Sequence, residues 1–450
     1  MIYATVRHSD LSETGRLEAG YFLNEDSINT RTLRASPVPK AALSDLATIF
    51  NPPVFKRTFC ANTPNSVEYF QSSDVPGADS ISDTFIPRAQ AEKVRALVQE
   101  GSILLTGYGA IGNTRLVTSD IADKAFADNV CRVIPHKFGG YLYAFLATKY
   151  SRSQLNQNAS GSVVRFIKAS RIGQIIVPLL PVETMEALDA QMQHAGRLRA
   201  EAAGLLQTAI QSLEDALPEY ITKNIYTTPL SSFQNQRLRL DATVQHIAYQ
   251  NFLNEASKLA ELRTLEEISG RIFTPGIFKR MRVHNIDNGV VFLSGTNLLE
   301  SRPILDSFLS HKTPNLPHYI LREGWLALQD SGSLSSMGYV SLVPRFLNGA
   351  AATNNLVRVL PGEVNYNPYL LAFFRTRQGQ RILKNLSYGT GQLHIDNVQI
   401  AQLKVPIFKK LLPVVTEQIT GYVQRFAEAY DLETTAIQTV ETYIGQWQPS

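Results

Sequence analysis

The chain has 450 residues, 44% of them hydrophobic and 18% charged, with a formal net charge of +4. That length supports two or three domains with their own cores, and the composition excludes a disordered or fibrous chain. Two cysteines, Cys60 and Cys131, exclude a disulfide scaffold and a thiolate metal cluster and fit a reducing cytosol, while the mild positive balance permits a nucleic-acid partner without requiring one.

In chain order, residues 1–8 lack a basic segment followed by an apolar run, so no signal peptide is expected. Residues 43–50 form an early segment that ends at the Pro52-Pro53 turn. Val67-Glu68-Tyr69-Phe70-Gln71 reads as a buried strand. After a polar stretch comes a second strand, Ser102-Ile103-Leu104-Leu105-Thr106, and a Gly-rich loop from Gly107 to Gly112. Arg115-Leu116-Val117 returns as its hairpin partner. Residues 129–134 read as a strand that stops at Pro135, and residues 141–150 as a short amphipathic helix. A strand-like stretch at 161–167 and Ile175-Ile176-Val177-Pro178 close the unit. The run 175–182 is too short and too rich in proline to span a bilayer.

The same order is then written a second time. Asn51-Pro52-Pro53-Val54-Phe55-Lys56-Arg57 returns as Thr274-Pro275-Gly276-Ile277-Phe278-Lys279-Arg280, an offset of 223 (51 to 274). That offset also carries Arg16-Leu17-Glu18-Ala19 onto Arg239-Leu240-Asp241-Ala242, and Glu100-Gly101 onto Glu323-Gly324. It drifts to 226 between Arg132-Val133-Ile134-Pro135 and Arg358-Val359-Leu360-Pro361 (132 to 358), and to 228 between Val177-Pro178 and Val405-Pro406 (177 to 405). The helix at 141–150 returns at 369–376. A repeat this long means two similar domains rather than a solenoid array, and each reads as a compact α/β globule rich in irregular loops.

Each globule is followed by a stretch poor in Gly and Pro, 183–217 and 414–444. In the second, Val415, Ile419, Tyr422, Phe426, Ala429, Glu433, Ala436, Val440 and Tyr443 alternate spacings of 4 and 3, a heptad seam. An offset of 227 (188 to 415) finds Leu188, Met192, Ala195, Arg199, Ala202, Leu206, Ala209, Leu213 and Ala216 in the first. Each seam is a helix of roughly 50 Å at 1.5 Å per residue, interrupted by one charge. Antiparallel pairing brings Arg199 and Glu433 within about one layer, where a buried polar pair can set the register.

Several patterns resemble active-site motifs without their context. Gly107-Tyr108-Gly109-Ala110-Ile111-Gly112 matches a dinucleotide fingerprint, but a turn and strand follow it where a helix is needed, and the second copy lacks it. It reads as a hairpin loop. Asn51-Pro52-Pro53-Val54 is similar to the Asn-Pro-Pro-aromatic motif of adenine-N6 methyltransferases, with valine in place of the stacking ring and Thr-Pro-Gly in the other copy. The eight histidines are scattered, and no nucleophile elbow is present. No catalytic and no metal-binding residue is expected.

The recurring order resembles the specificity (S) subunits of type I restriction-modification systems. The resemblance rests on the strand and Gly-rich loop at 101–112 and 324–338, the Tyr-Leu…Phe helix, and the Val-Pro leading to a long helix. Thr416-Glu417-Gln418-Ile419 is similar to the Glu-Gln that opens the family's helix, whereas Glu183-Thr184-Met185-Glu186 departs from it. The resemblance implies an α+β fold of two tandem similar target-recognition domains separated by two long antiparallel conserved helices, in a pseudo-twofold arrangement. The expected boundaries are 1–180 for the first domain, 181–217 for its helix, 218–238 for a linker, 239–406 for the second domain and 407–450 for its helix. It implies a non-catalytic subunit of a methyltransferase/endonuclease complex that reads an asymmetric bipartite site on double-stranded DNA, one half per domain. Two like domains on such a rod reach successive turns of a duplex, about 34–36 Å apart. The family's partners are two methyltransferase (M) subunits, which use S-adenosylmethionine, joined in some systems by restriction (R) subunits that use ATP and Mg. Apolar helix faces left uncovered by pairing are expected to need the methyltransferase.

Lys56, Arg57, Lys279, Arg280 and Arg282 form the densest basic clusters at equivalent positions and are assigned to phosphates. Thr106, Tyr108, Asn113 and Arg115 in one loop, and Gln329, Asp330, Ser331 and Ser333 in the other, offer groups suited to base edges; Gln392 and His394 are further candidates. Alternatives are the specificity subunit of another DNA-modifying defence complex, a duplicated protein-binding adaptor, and a self-sufficient methyltransferase that binds S-adenosylmethionine itself.

Overall fold

The computed structural model describes residues 24–78, 80–161, 164–221, 227, 248–332, 337–389 and 392–446. The matched segments 16–19 and 239–242 and the candidate Ser333 lie outside them. The chain divides into a first unit, Met1–Ala200 with Glu428–Ser450, and a second, Glu201–Ala427. Each long helix is therefore shared between the units, about half of it in either one.

In the first unit the strands are β1 (Lys40–Ala42), β2 (Ala47–Phe50), β3 (Ser66–Phe70), β4 (Phe85–Pro87), β5 (Ile103–Thr106), β6 (Thr114–Leu116), β7 (Ala125–Phe126), β8 (Val130–Pro135) and β9 (Ile176–Pro178). They form an antiparallel sheet β2-β8-β5-β6, a sheet β4-β3-β7 whose β3/β7 pair is parallel, and the pair β1-β9. All four residues of β5 are buried, because its alternating side chains feed two cores. Ile103 and Leu105 join Val133, Tyr141, Phe145, Met192 and Val440. Leu104 points the other way, to Phe70, Ile86, Phe126 and Val130. At roughly 1.5–3 kcal/mol per buried large aliphatic side chain, this two-sided burial makes β5 a central element of the unit.

Helix α1 (Glu25–Ala35) opens at Asn24, whose side chain accepts from the Ser27 amide. The helix read at 141–150 is two, α2 (Gly139–Leu146) and α3 (Lys149–Asn158). Thr148 makes the break: its hydroxyl donates to the Phe145 carbonyl and accepts from the Ser151 amide, capping the new helix. Among the described residues of 161–167, read as strand-like, none belongs to a strand; Ser160 and Phe166 exchange both backbone hydrogen bonds at 2.8 Å and close a tight loop. The long helix α4 spans Val182–Ala216.

In the second unit, after α5 (Ala248–Ala256), come β10 (Glu261–Thr264), β11 (Ser269–Phe273), β12 (Arg282–Val283), β13 (Gly289–Leu293), β14 (Phe308–Ser310), β15 (Leu326–Gln329), β16 (Ser331–Gly332), β17 (Val340–Leu342), β18 (Ala351–Ala352), β19 (Leu356–Pro361), β20 (Leu393–His394) and β21 (Lys404–Ile407). The sheet order β11-β19-β15-β17 repeats the first unit's main sheet, β13/β18 repeats the parallel pair, and β10-β21 repeats β1-β9. Helices α6 (Asn367–Arg375) and α7 (Arg377–Leu386) break at Thr376, which caps as Thr148 does. The last long helix, α8, spans Leu412–Gly445. Among the described residues no helix is long and apolar enough to cross a membrane.

Inside the first unit, α4 and α8 meet at Thr184 with Tyr443, at Gln191 with Leu432, and at Ala195 with Ala429. Inside the second, they meet at Glu201 with Arg425 and at Leu205 with Gly421. Partners fall along α8 as they rise along α4, so the pairing is antiparallel. Arg199 and Glu433 meet as expected, with Nε–Oε1 at 3.3 Å and Nη2–Oε2 at 3.0 Å.

Candidate nucleic-acid interface

The repeated Arg-Val within β8 and β19 hides an unusual device. Arg132 is 2% exposed and Arg358 0%. Among the described residues neither guanidinium has a carboxylate at hydrogen-bond distance. Arg132 donates instead to the carbonyls of Ala96, Phe126, Ala127 and Val130, and Arg358 to those of Ala352, Thr353 and Leu356. Burial pulls both down to about 10, still well above neutral pH, so both remain cations. Each Arg gathers the loop before its strand into a fixed shape, and the cationic segment described next is tied to that loop.

In the first unit, Asn51 donates to the Asp128 carbonyl at 3.0 Å, and Arg57 pairs with the Asp128 carboxylate and the Tyr69 hydroxyl, both at 2.6 Å. The Tyr69 hydrogen bond, with the Asp128 charge behind it, raises the Arg57 pKa above its ordinary value. Asp128 and Asn129 lead into β8 at the point where β5 ends and the Gly-rich loop begins, since Thr106 pairs with Val130. In the second unit, Arg280 donates to the Thr353 hydroxyl at 3.3 Å. The Asp330 amide at the start of the corresponding loop donates to the Asn355 carbonyl at 3.2 Å. In each unit a basic segment and the loop that carries the candidate polar residues thus meet at one end of the main sheet.

That loop is laced to the tight loop that sequence reasoning missed. In the first unit, Ile167 N donates to the Gly107 carbonyl at 2.8 Å and Gly109 N to the Arg165 carbonyl at 3.0 Å. The Tyr108 and Phe166 rings stack with centroids 5.7 Å apart, leaving Tyr108 43% exposed. In the second unit, Ile395 N donates to the Asp330 carbonyl at 2.7 Å. There β16 and β20 pair Ser331 with His394, and Gly332 with Leu393. Tyr388 and His394 exchange both backbone bonds, just as Ser160 and Phe166 do. Both tight loops turn on a glycine in the left-handed region, Gly161 at φ +96° and Gly389 at φ +111°, where an added Cβ runs into the Val164 or the Gln392 carbonyl. Aligning the repeats at the late offset of 228 (161 to 389) reveals both glycines; a search for polar groups does not.

Several candidates are removed from base reading by their surroundings. Thr106 is 2% exposed, and its hydroxyl donates to the Ala110 carbonyl and accepts from the Asn113 amide, shaping the loop from inside. Arg115 is buried and donates to the carbonyls of Gly77 and Asp74. Ser331 is buried in its strand pair, and Gln329, half-buried, donates to the Ser331 carbonyl. Among the phosphate candidates, Arg57, Arg280 and Arg282 have partners within the fold, Arg282 at the Ser307 hydroxyl. Lys56 and Lys279 are exposed. Tyr108, Gln392 and His394 stand on the exposed rim of the laced loops, and Asn113 is half-buried there. Burial pushes the Asp330 carboxyl up to about 6, against the opposing pull of the Ser331 hydroxyl, His394 and Arg358. Among the described residues no cluster of His, Cys, Asp and Glu is arranged to hold a metal.

No family model and no curated protein matches the chain. Among solved structures it is similar to the S subunit of a type I restriction-modification system from M. genitalium, with 14% identity over 92% of this chain and 97% of that one and a TM-score of 0.34. It is also similar to the HsdS subunit from Thermoanaerobacter tengcongensis, with 12% identity over 91% and 97% and a TM-score of 0.28. A third similarity is to a chain from a structure of complex assembly and conformational transition in the type I R-M system, with 14% identity over 91% and 98% and a TM-score of 0.30. At superposition scores of this size, the functional reading has to be carried by this chain's own residues. What those residues offer is cationic side chains, amide and imidazole groups and an exposed ring on a rigid rim. Such a set can hold phosphates and meet base edges.

Proposed function

We infer that this chain is the non-catalytic DNA sequence-specificity subunit of a type I restriction-modification complex, each unit contacting one half of an asymmetric bipartite site. The observation that carries this reading is the recurrence, at the same end of the main sheet in each unit, of a cationic segment beside two laced loops. The frame is the same in both, while the rims differ: at the offset of 228 (164 to 392), Val164 and Phe166 stand in one where Gln392 and His394 stand in the other. A common frame with different rims fits two unlike half-sites. Catalysis belongs to partner methyltransferase subunits that bind S-adenosylmethionine, with ATP and Mg entering only through restriction subunits. This chain itself binds no cofactor.

The test is DNA binding by the chain purified with its methyltransferase partner, measured as a function of salt. Affinity that falls steeply as salt rises, together with no binding of S-adenosylmethionine by this chain alone, is the expected result. Absence of DNA affinity in a stable complex overturns it in favour of a protein-binding adaptor.

A further inference from the structure

Val54 and Ile277 occupy the same place in the two repeats, at the offset of 223 (54 to 277). They are also the most exposed of the large hydrophobic side chains among the described residues, at 89% and 92%. Single exposed aliphatic residues are ordinary on protein surfaces. What is not ordinary is that both stand on backbone held firmly on either side.

Before Val54, Asn51 is tied to the Asp128 carbonyl. After it, the Phe55 ring meets Tyr69 edge-on at 6.5 Å, the Gln90 amide donates to the Lys56 carbonyl, and its oxygen accepts from the Thr58 amide. Before Ile277, the Gly276 carbonyl accepts from the Tyr319 hydroxyl at 3.3 Å; after it, the Phe278 ring stacks on Tyr319 at 3.7 Å. A side chain on such backbone is presented, with little ordering entropy left to lose on binding.

We propose that Val54 and Ile277 are apolar wedges that each enter the DNA of their own half-site and loosen one base step. This rests on the DNA-specificity reading and extends it. Charge complementarity selects the occupant: each wedge is followed two residues on by an exposed lysine, Lys56 or Lys279, and in the second unit Arg280 and Arg282, whose fold partners are hydroxyls, keep their charge beside it. Apolar residues flanked by phosphate-binding cations are how minor-groove proteins part stacked bases. Readout of a thymine methyl is disfavoured by the repeat itself. The loops that should differ between half-sites do differ, whereas this position keeps a β-branched aliphatic side chain in both. A contact common to two unlike half-sites is one that does not depend on sequence.

The experiment uses the full chain purified with its methyltransferase partner, without S-adenosylmethionine. The probe is a set of duplexes with 2-aminopurine placed along each half-site, away from the methylated adenine. One step in each half-site is expected to brighten on binding. Val54→Ala should return one half to the free-duplex emission and Ile277→Ala the other, with the salt dependence of binding unchanged. Val54→Ile should restore the signal. Because both side chains lie almost wholly in solvent, these variants fold. Salt-dependent binding with no brightened step, or with brightening that survives both alanine variants, overturns the wedge and leaves the specificity reading standing. Absence of salt-dependent binding overturns both.

Discussion

At matched positions on the long helices, the first unit places Arg199 and Glu433 where the second places Phe426 and Leu206 (199 to 426 and 206 to 433). The first unit seals its section of the helix pair with an ion pair whose side chains are 12% and 6% exposed. In the second, Leu206 is buried in the core and Phe426 stacks beside Phe346. The surrounding frame is the same in both units: one sheet order, one capping threonine, and a glutamate from a long helix accepting from the next amide, Glu441 for Lys149 and Glu214 for Arg377. The ion pair is therefore not required for the packing. A buried charge pair adds little net stability over apolar residues of similar size, but it penalises wrong registers.

The largest effects should come from what the units share. Arg132→Leu and Arg358→Leu each strand several buried carbonyls, and each is expected to cost about 3–5 kcal/mol in denaturant unfolding. A cost confined to one of the two would mean that the frames are not equivalent. The helix pair comes next. Glu433→Leu alone leaves a buried guanidinium without its partner and should cost about 3 kcal/mol. Arg199→Phe combined with Glu433→Leu copies the second unit and should return to within about 1 kcal/mol of the parent. A double variant as unstable as the single one would contradict the comparison.

Gly161→Ala and Gly389→Ala should each cost about 1–3 kcal/mol through backbone strain and should weaken DNA binding more than the melting shift explains. The smallest effect belongs to the second unit alone. The Asp330 carboxyl is pushed up to about 6 by burial, from an ordinary value of 3.8. Between those values the folded chain keeps a proton that the unfolded chain has released, so stability falls as pH rises through that window. Asp330→Asn should therefore raise the melting temperature at pH 8, by roughly 1–2 kcal/mol of stability allowing for residual solvent, and leave it unchanged near pH 4. A gain at both pH values would mean that the charge is not its source.

The duplication was legible because residues recur at a near-constant offset, and the central strands β3, β5 and β8 and the antiparallel helices because burial imposes a period, which survives without knowledge of contacts. Arg199 and Glu433 could be paired in advance because a heptad seam fixes which layer each occupies. The break at Thr148 was not legible, since a threonine between two helical stretches reads as helix until its hydroxyl is seen capping an amide. The site was legible as a region and much less as residues. Thr106 and Arg115 are polar and lie on or beside the right loop, yet both turn inward to satisfy carbonyls. Composition does not record the direction of a side chain. The tight loops escaped because their defining residues, Gly161 and Gly389, carry no side chain at all.

The most direct test of the account is to co-express this chain with the methyltransferase proposed as its partner and map N6-methyladenine by single-molecule sequencing, for the parent and for Tyr108→Ala. The account predicts one asymmetric bipartite motif for the parent, and for the variant a motif relaxed in one half with the other half unchanged. A motif altered in both halves, or no methylation that depends on this chain, would contradict it.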